Sequence, residues 1–325
     1  MNCARHAFSP VLIALSLAVA QGASAQEYPT KPLRIVVPWP PGGLVDAAAR
    51  SAGERLQVAF GQPVLIDNKP GAAGGIGAEQ VAKAAADGYT LLFTTSALTI
   101  NAALKAKLSL DATKDFEPVA LFAHAPSVLV VHPGLGVKTV LDLVALARVK
   151  PGKLTYASAG SGSPAHLSGE LFKSMLSLDI VHVPYKGAPP AMLDQVAGRV
   201  DMQFANATVA LPQLKAGKIM GLAVTSTKRF ASVPDIPTMA EAGVPAFEAD
   251  QWLGFLAPRG TPPAVLSRLS AEGNKALANE AVRATLAQNG MTAAAQGTSQ
   301  QFAAFLKQDL AKWSAVVKAA SIQPE

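Results

Sequence analysis

Three glycine-rich segments stand where an apolar run ends and a helical pattern begins. They are Pro38-Trp39-Pro40-Pro41-Gly42-Gly43, Pro70-Gly71-Ala72-Ala73-Gly74-Gly75 and Ala157-Ser158-Ala159-Gly160-Ser161-Gly162-Ser163. Glycine lets the backbone approach a ligand closely, and a helix N-terminus offers free N–H groups with a dipole that favours anions. The chemistry these turns suit is reversible capture of an anion. Each alone also reads as an ordinary strand-to-helix connection. What favours a site between two units is that such turns occur in both halves of the chain.

Side chains near the turns extend the candidate site, each with a plainer alternative. Asp46 either stabilises its helix and fixes the Gly42-Gly43 loop or meets a donor on the ligand. Trp39 walls a pocket or packs against the neighbouring prolines. His166 donates to the ligand or caps locally, and Lys186, in Tyr185-Lys186-Gly187, neutralises a distal carboxylate or stays solvated. Asn206 follows an apolar run and is placed to face a cleft, while Thr94, Thr95 and Ser96 bring hydroxyls to the end of another.

Rival chemistries find less support. Gly160-x-Gly162-x-x-Ala165 resembles a dinucleotide turn, but Pro184-Tyr185 stand where the acidic ribose ligand belongs, and Asp179 comes too early. There is no G-x-x-x-x-G-K-[ST] and no G-x-S-x-G. His124, His132, His166 and His182 are dispersed, without metal-ligand spacing. No cofactor or metal is expected.

The elements that must position these residues alternate. The pattern predicts strands at Leu33–Val37, Val64–Asp67 and Thr90–Thr94, with helices at Asp46–Phe60 and Gly77–Ala86. After the Pro-punctuated stretch Pro118–Pro133 come a helix at Val140–Arg148 and strands at Leu154–Ala157, Ile180–Val183, Met202–Ala205 and Met220–Thr225. Helices at Pro190–Ala197 and Val209–Ala216 lie among them. Thr139-x-x-Asp142 and Thr298-x-x-Gln301 read as capping boxes, and Ser163-Pro164 as an N-cap followed by proline. A strand at Trp252–Leu256 and a helical tail ending in Gln300–Ala320 complete the series. Such alternation predicts parallel sheets with helices on both faces. The last helices lack a sheet of their own and are expected to return to the first unit, making the second an insertion joined by two crossing segments.

Residues 1–25 read as a cleaved export signal: Arg5, an apolar run Val11–Ala20 too short to span a bilayer, and the small-residue site Ala23-Ser24-Ala25. Cys3, the only cysteine, falls within it, so the mature chain has no thiol chemistry. The formal charge is +6, and loss of Arg5 lowers it by one. Basic residues are scattered singly, unlike a nucleic-acid surface, and no nucleic-acid partner is expected. About 300 mature residues suggest two lobes.

These residues resemble the Bug family, the TctC-like solute receptors of tripartite tricarboxylate transport. The likeness is carried by Tyr28-Pro29-x-Lys31-Pro32, Pro41-Gly42-Gly43-x-x-Asp46-x-x-x-Arg50, Asp67-Asn68-Lys69-Pro70-Gly71-Ala72-x-Gly74 and Asp87-Gly88-Tyr89-Thr90. Ser158-x-Gly160-x-Gly162-Ser163-x-x-His166-Leu167, Val183-Pro184-Tyr185-Lys186-Gly187, Pro237-Thr238-x-x-Glu241-x-Gly243 and Trp252-x-Gly254 continue it along the mature chain. The resemblance implies a type II periplasmic binding-protein fold, α/β, with two doubly wound lobes and a ligand cleft between them. It also implies a carboxylate held by Gly42, Gly43, Ser158, Gly160, Ser161 and Ser163. Leu44 departs from the small or hydroxyl residue common in the family, removing one polar contact and favouring a ligand with an apolar portion.

The expectation is an exported, periplasmic, monomeric binding protein rather than an enzyme. Its first lobe spans residues 26–126 and 227–325 (the latter including the crossover), and its second lobe 127–226. It captures a small mono-, di- or tricarboxylate and delivers it to membrane transporter subunits. Ligand specificity is expected from Trp39, Leu44, Thr95, Lys186 and Asn206. The alternatives are a sensory receptor for a membrane kinase and a secreted hydrolase using Ser161 or Ser163 with His166.

Overall fold

The computed structural model describes residues 28–104, 110–112, 114–319 and 322, so the export signal expected at 1–25, with Cys3, lies outside the described residues. The chain opens with strand β1 (Leu33–Val37), helix α1 (Leu44–Phe60), β2 (Val64–Asn68), α2 (Gly75–Ala82), β3 (Thr90–Thr95) and α3 (Ala97–Ala103). β1 runs parallel to β2 on one side and β3 on the other.

The Pro-punctuated stretch, to which the pattern assigns no element, is largely extended. It forms two strands, β4 (Phe116–Ala125) and β5 (Ser127–Val131), one in each sheet. Pro118 lies opposite Leu256 beside a register shift, and Pro126 stands between the two strands. The prolines therefore mark a ladder irregularity and a corner, positions where a missing N–H is tolerated.

α4 (Val140–Val149), β6 (Thr155–Ser158), α5 (Pro164–Leu176), β7 (Val181–Pro184), α6 (Ala188–Val196), β8 (Met202–Asn206), α7 (Ala207–Lys215) and β9 (Met220–Val224) follow. The chain then returns through β10 (Gln251–Pro258), α8 (Pro263–Ala278), α9 (Glu280–Gln288), β11 (Thr292–Ala293) and α10 (Ser299–Ala319). The first sheet has the order β11-β4-β10-β3-β1-β2 and the second β7-β6-β8-β5-β9.

Both sheets are mixed, not purely parallel. β10 is antiparallel to β3 and β4, and β5 is antiparallel to β8 and β9. Parallel neighbours need a crossover connection; β4 and β5 instead join sheet to sheet across one proline.

The first sheet buries Ile35, Leu91, Phe93, Phe122 and Phe255 against Ala48 and Leu56 of α1, Leu277 of α8 and Leu286 of α9. Its other face meets Phe302 and Leu306 of α10 through Val36, Leu92 and Trp252. The second sheet packs Leu129, Tyr156, Phe204 and Leu222 with Phe172 of α5 and Trp313 from the far end of α10. The last helix therefore touches both cores.

Local signals set the helix starts. Thr139 and Asp142 form a reciprocal capping box, Thr298 and Gln301 do likewise, and Ser163 Oγ accepts from the His166 N–H. α1, α6 and α7 begin two residues earlier than periodicity predicts, immediately after Gly43, Gly187 and Asn206. Those extra residues bring the helix N-termini up to the strand ends.

Where the chain crosses between sheets, Ser127 N–H donates to Thr225 Oγ1 at 2.8 Å, and that hydroxyl donates to Asp250 Oδ1 at 3.1 Å. Gln251 Nε2 reaches Ser127 Oγ at 3.2 Å. Burial pushes the Asp250 carboxyl above its usual range, against the Thr225 hydrogen bond. These bonds tie both crossings into one hinge.

Candidate functional site

A cleft of ≈ 640 Å³ of non-atom space, part of it open to solvent, lies between the sheets. The first-sheet side contributes Trp39, Pro40, Gly43, Leu44, Val45 and Thr95. The second contributes Ser163, Pro164, Ala165, Phe204 and Asn206, among others, with Gln251 arriving from the hinge. Lining residues from the first turns or caps of α1, α5, α6 and α7 put four helix N-termini around this space. Each presents the positive end of its dipole, and α1, α5 and α7 also present N–H groups without intrahelical partners, whereas α6 opens on Ala188-Pro189-Pro190 and has few to offer. Among the described residues, no side chain lining the cleft carries a charge.

Strand order fixes the sequence of groups along the cleft. Moving outward from the hinge, the first sheet presents Gln251 on β10, Thr95 at the end of β3, then the loop after β1. The second presents Ser127 on β5, Asn206 on β8, the α5 turn after β6, and Gly187 after β7.

A second chamber of ≈ 1080 Å³ lies beside the first and shares Trp39, Pro40 and Ala159 as a wall. Gly160, Ser161 and Lys186 line it, with the Pro70–Gly74 turn opposite. The lobes nearly touch here: a Cβ on Gly187 would stand 2.9 Å from Pro40, and one on Gly162 2.1 Å from Asn101 Oδ1. Trp39 Nε1 is buried without a partner among the described residues.

The remaining sequence candidates stand behind the cleft surface. Asp46 is buried and accepts from Gly42 N–H, Arg50 Nε and Asn68 Nδ2, each at 3.0 Å. Burial alone would raise its pKa, but these donors hold the carboxyl below the usual carboxylate range. Its charge is thus spent on the Gly42-Gly43 loop.

Ser158 Oγ pairs with His182 Nε2 at 2.7 Å and accepts from Gly160 N–H at 3.1 Å. His182 stacks between Tyr156 and His166, with ring centroids at 4.7 and 4.3 Å. His166 Nδ1 accepts from Gly162 N–H at 3.1 Å. Ser158, His166 and His182 therefore brace the Ser158–Ser163 turn from beneath. The His166 N–H is capped by Ser163 Oγ and its ring accepts from the Gly162 N–H, so both contacts hold the turn in shape.

Sequence reasoning missed Gln203, Phe204 and Gln251. The available signal was an amide inside or beside an otherwise apolar strand, since a buried amide needs partners. It also treated His182 as isolated, although folding sets it against both Ser158 and His166.

The family model of the tripartite tricarboxylate transporter family receptor matches residues 48–322. BugT of Bordetella pertussis is 36% identical over 302 residues, covering 92% of this chain and 92% of that protein. The structure of R. palustris Rpa4515 with adipate superposes with a TM-score of 0.87 at 37% identity, covering 92% of this chain and all of that one. MatC (Rpa3494) from Rhodopseudomonas palustris with bound malate gives 0.85 at 33% identity, covering 89% of this chain and all of that one. With two lobes, a cleft at their strand ends and this match along the whole fold, the chain belongs to the tripartite tricarboxylate transporter receptor family and has its type II periplasmic binding-protein fold.

Proposed function

We propose that the protein is exported by residues 1–25, acts in the periplasm as a monomer, and delivers a small carboxylate to the membrane subunits of a tripartite transporter. Residues 26–126 and 227–325 make one lobe and 127–226 the other, and binding favours their closure without chemistry on the ligand. The observation that carries this reading is the set of four helix N-termini around an interlobe cleft without charged side chains. The relatives with adipate and malate support a carboxylate as the anion.

In this reading the carboxylate accepts from backbone N–H groups at Gly43–Val45 and Ala165, with the Ser163, Thr95 and Asn206 side chains alongside. Trp39 and Leu44 pack on its body. Gly160, Ser161 and Lys186 guide it through the outer chamber, while Gly42, Asp46, Ser158 and His166 hold the turns in shape.

Calorimetry against mono-, di- and tricarboxylates tests the proposal. A true ligand at a hundred times its Kd adds about 2.7 kcal/mol to stability, visible as a raised Tm. If no carboxylate binds or raises the Tm, the reading is wrong.

A further inference from the structure

We propose that the Ser158–Ser163 turn is a pH-sensitive latch, formed only while the His166 ring is neutral, so that acidification weakens carboxylate capture. This rests on the solute-binding reading and adds regulation to the same site.

Two imidazoles stand beneath the turn, and each serves one of two alternate glycines. His182 Nε2 meets Ser158 Oγ at 2.7 Å, and that oxygen accepts the Gly160 N–H at 3.1 Å. His166 Nδ1 accepts the Gly162 N–H directly, at 3.1 Å. A ring nitrogen that accepts carries no proton, so charging His166 turns the acceptor into a donor and sets it against that N–H. Gly162 and His166 are both buried, where two facing donors lack water to turn to.

The bond matters because of where Gly162 stands. The next residue, Ser163, lines the cleft and caps α5, and its N–H closes the turn onto Gly160 O at 3.0 Å. Gly162 itself meets the other lobe at Asn101 of α3. One backbone bond therefore bears on both a cleft residue and a lobe contact.

His166 stacks on His182 at 4.3 Å and His182 on Tyr156 at 4.7 Å, with the Lys173 ammonium 5.7 Å from the Tyr156 centroid. The stack thus already ends in one cation, and its two imidazoles cannot both charge without repulsion. Glu170, one turn along α5, is the one carboxylate on the elements packed here among the described residues. Its Oε1 accepts from Tyr156 OH at 2.6 Å and from Lys173 Nζ at 2.7 Å. β8 and α3, which also pack on α5, bring no titratable side chain. A cation behind the turn would draw an anion only if the turn kept its shape, and the lost bond is the one that shapes it. Protonation and capture therefore oppose each other, so affinity falls with pH and binding expels a proton.

Adipate and malate should be titrated calorimetrically into the mature protein at about pH 7.5 and about pH 5.5, either side of the usual histidine value. Whichever binds at the higher pH should bind about fivefold or more weakly at the lower one, beyond the change its own ionisation brings. In His166→Asn an amide oxygen takes the place of Nδ1 and accepts without titrating. The ratio of affinities at the two pH values should then collapse to what carboxylate ionisation alone produces, whatever the variant's affinity at the higher pH. A wild-type ratio no larger than that, a rise in affinity on acidification, or a ratio that persists in His166→Asn overturns the inference and leaves the solute-binding reading intact. Should the variant fail to fold, wild type in two buffers of different ionisation enthalpy decides. At about pH 6 binding should release protons beyond those the dicarboxylate sheds, and no such release overturns the inference. If neither dicarboxylate binds, the same series is run on any carboxylate from the wider screen, and absence of all binding removes the inference and the parent reading together.

Discussion

A carboxylate beside an anion site raises the question of how its charge is absorbed, and Asp46 answers it with three donors. Gly42 N–H, Arg50 and Asn68 all point at its oxygens, so the acid organises the loop from which Gly43 lines the cleft. Its pKa lies below the ordinary value in the folded state. A group of this kind contributes stability above its unfolded pKa, and that contribution is lost as pH falls through the folded one. Asp46→Ala should therefore cost about 0.5–1.5 kcal/mol in urea unfolding at pH 7, since its donors lose an acceptor but those on Gly42 and Arg50 are exposed and can turn to water. The gap from wild type should persist at pH 5, begin to narrow below the unfolded carboxylate value of about 4, and close only as pH falls through the lowered folded one. A gap unchanged at pH 2 would show that lost packing, not the charge, is responsible. Ligand affinity should fall too, because the Gly42-Gly43 backbone loses its brace.

At the level of elements, the turn before α5 and helix α3 meet across the cleft mouth. Gly162 has φ +79°, and a Cβ there would stand 2.1 Å from Asn101 Oδ1. Gly162→Ala should weaken carboxylate binding more than tenfold by propping the lobes apart, with about 1 kcal/mol lost from the turn itself. Gly136→Ala is the control: φ is +76° with nothing within 4 Å, so it carries the backbone strain without the cross-cleft clash. Calorimetry on both variants separates the effects, and equal affinities would dismiss the contact as a determinant of closure.

These elements show what a sequence can disclose. The caps at Thr139, Ser163 and Thr298 were legible because the interacting groups lie within four residues of one another. Gly43, Thr95, Ser163 and Asn206 were legible as cleft residues because ligand sites in such sheets lie beyond the strand ends, and Leu44 through the family resemblance. Strand direction was not, since whether β5 or β10 runs parallel depends on which distant strand it meets. Gln203 and Gln251 escaped for the same reason: the face a strand residue shows to a cleft is fixed by register. The stack of Tyr156, His182 and His166 joins three segments with no common spacing.

For the whole molecule, the two sheets are separate cores joined at crossings that Ser127, Thr225, Asp250 and Gln251 bind together. Gln251 belongs to both hinge and cleft, so a ligand that touches it acts directly on the joint. Trp313 and Phe302 anchor opposite ends of α10 in the two cores, which limits how far the lobes can part. The wall between the two chambers has an optical consequence. The chain has three tryptophans; Trp252 and Trp313 are each 1% exposed, while Trp39 forms that wall. A saturating carboxylate should change the emission of one indole against a constant background from two, and Trp39→Phe should abolish the change. A signal that survives this replacement would assign it to the buried pair. With the change lost, the native protein reports its own occupancy in a fluorimeter, with no label attached.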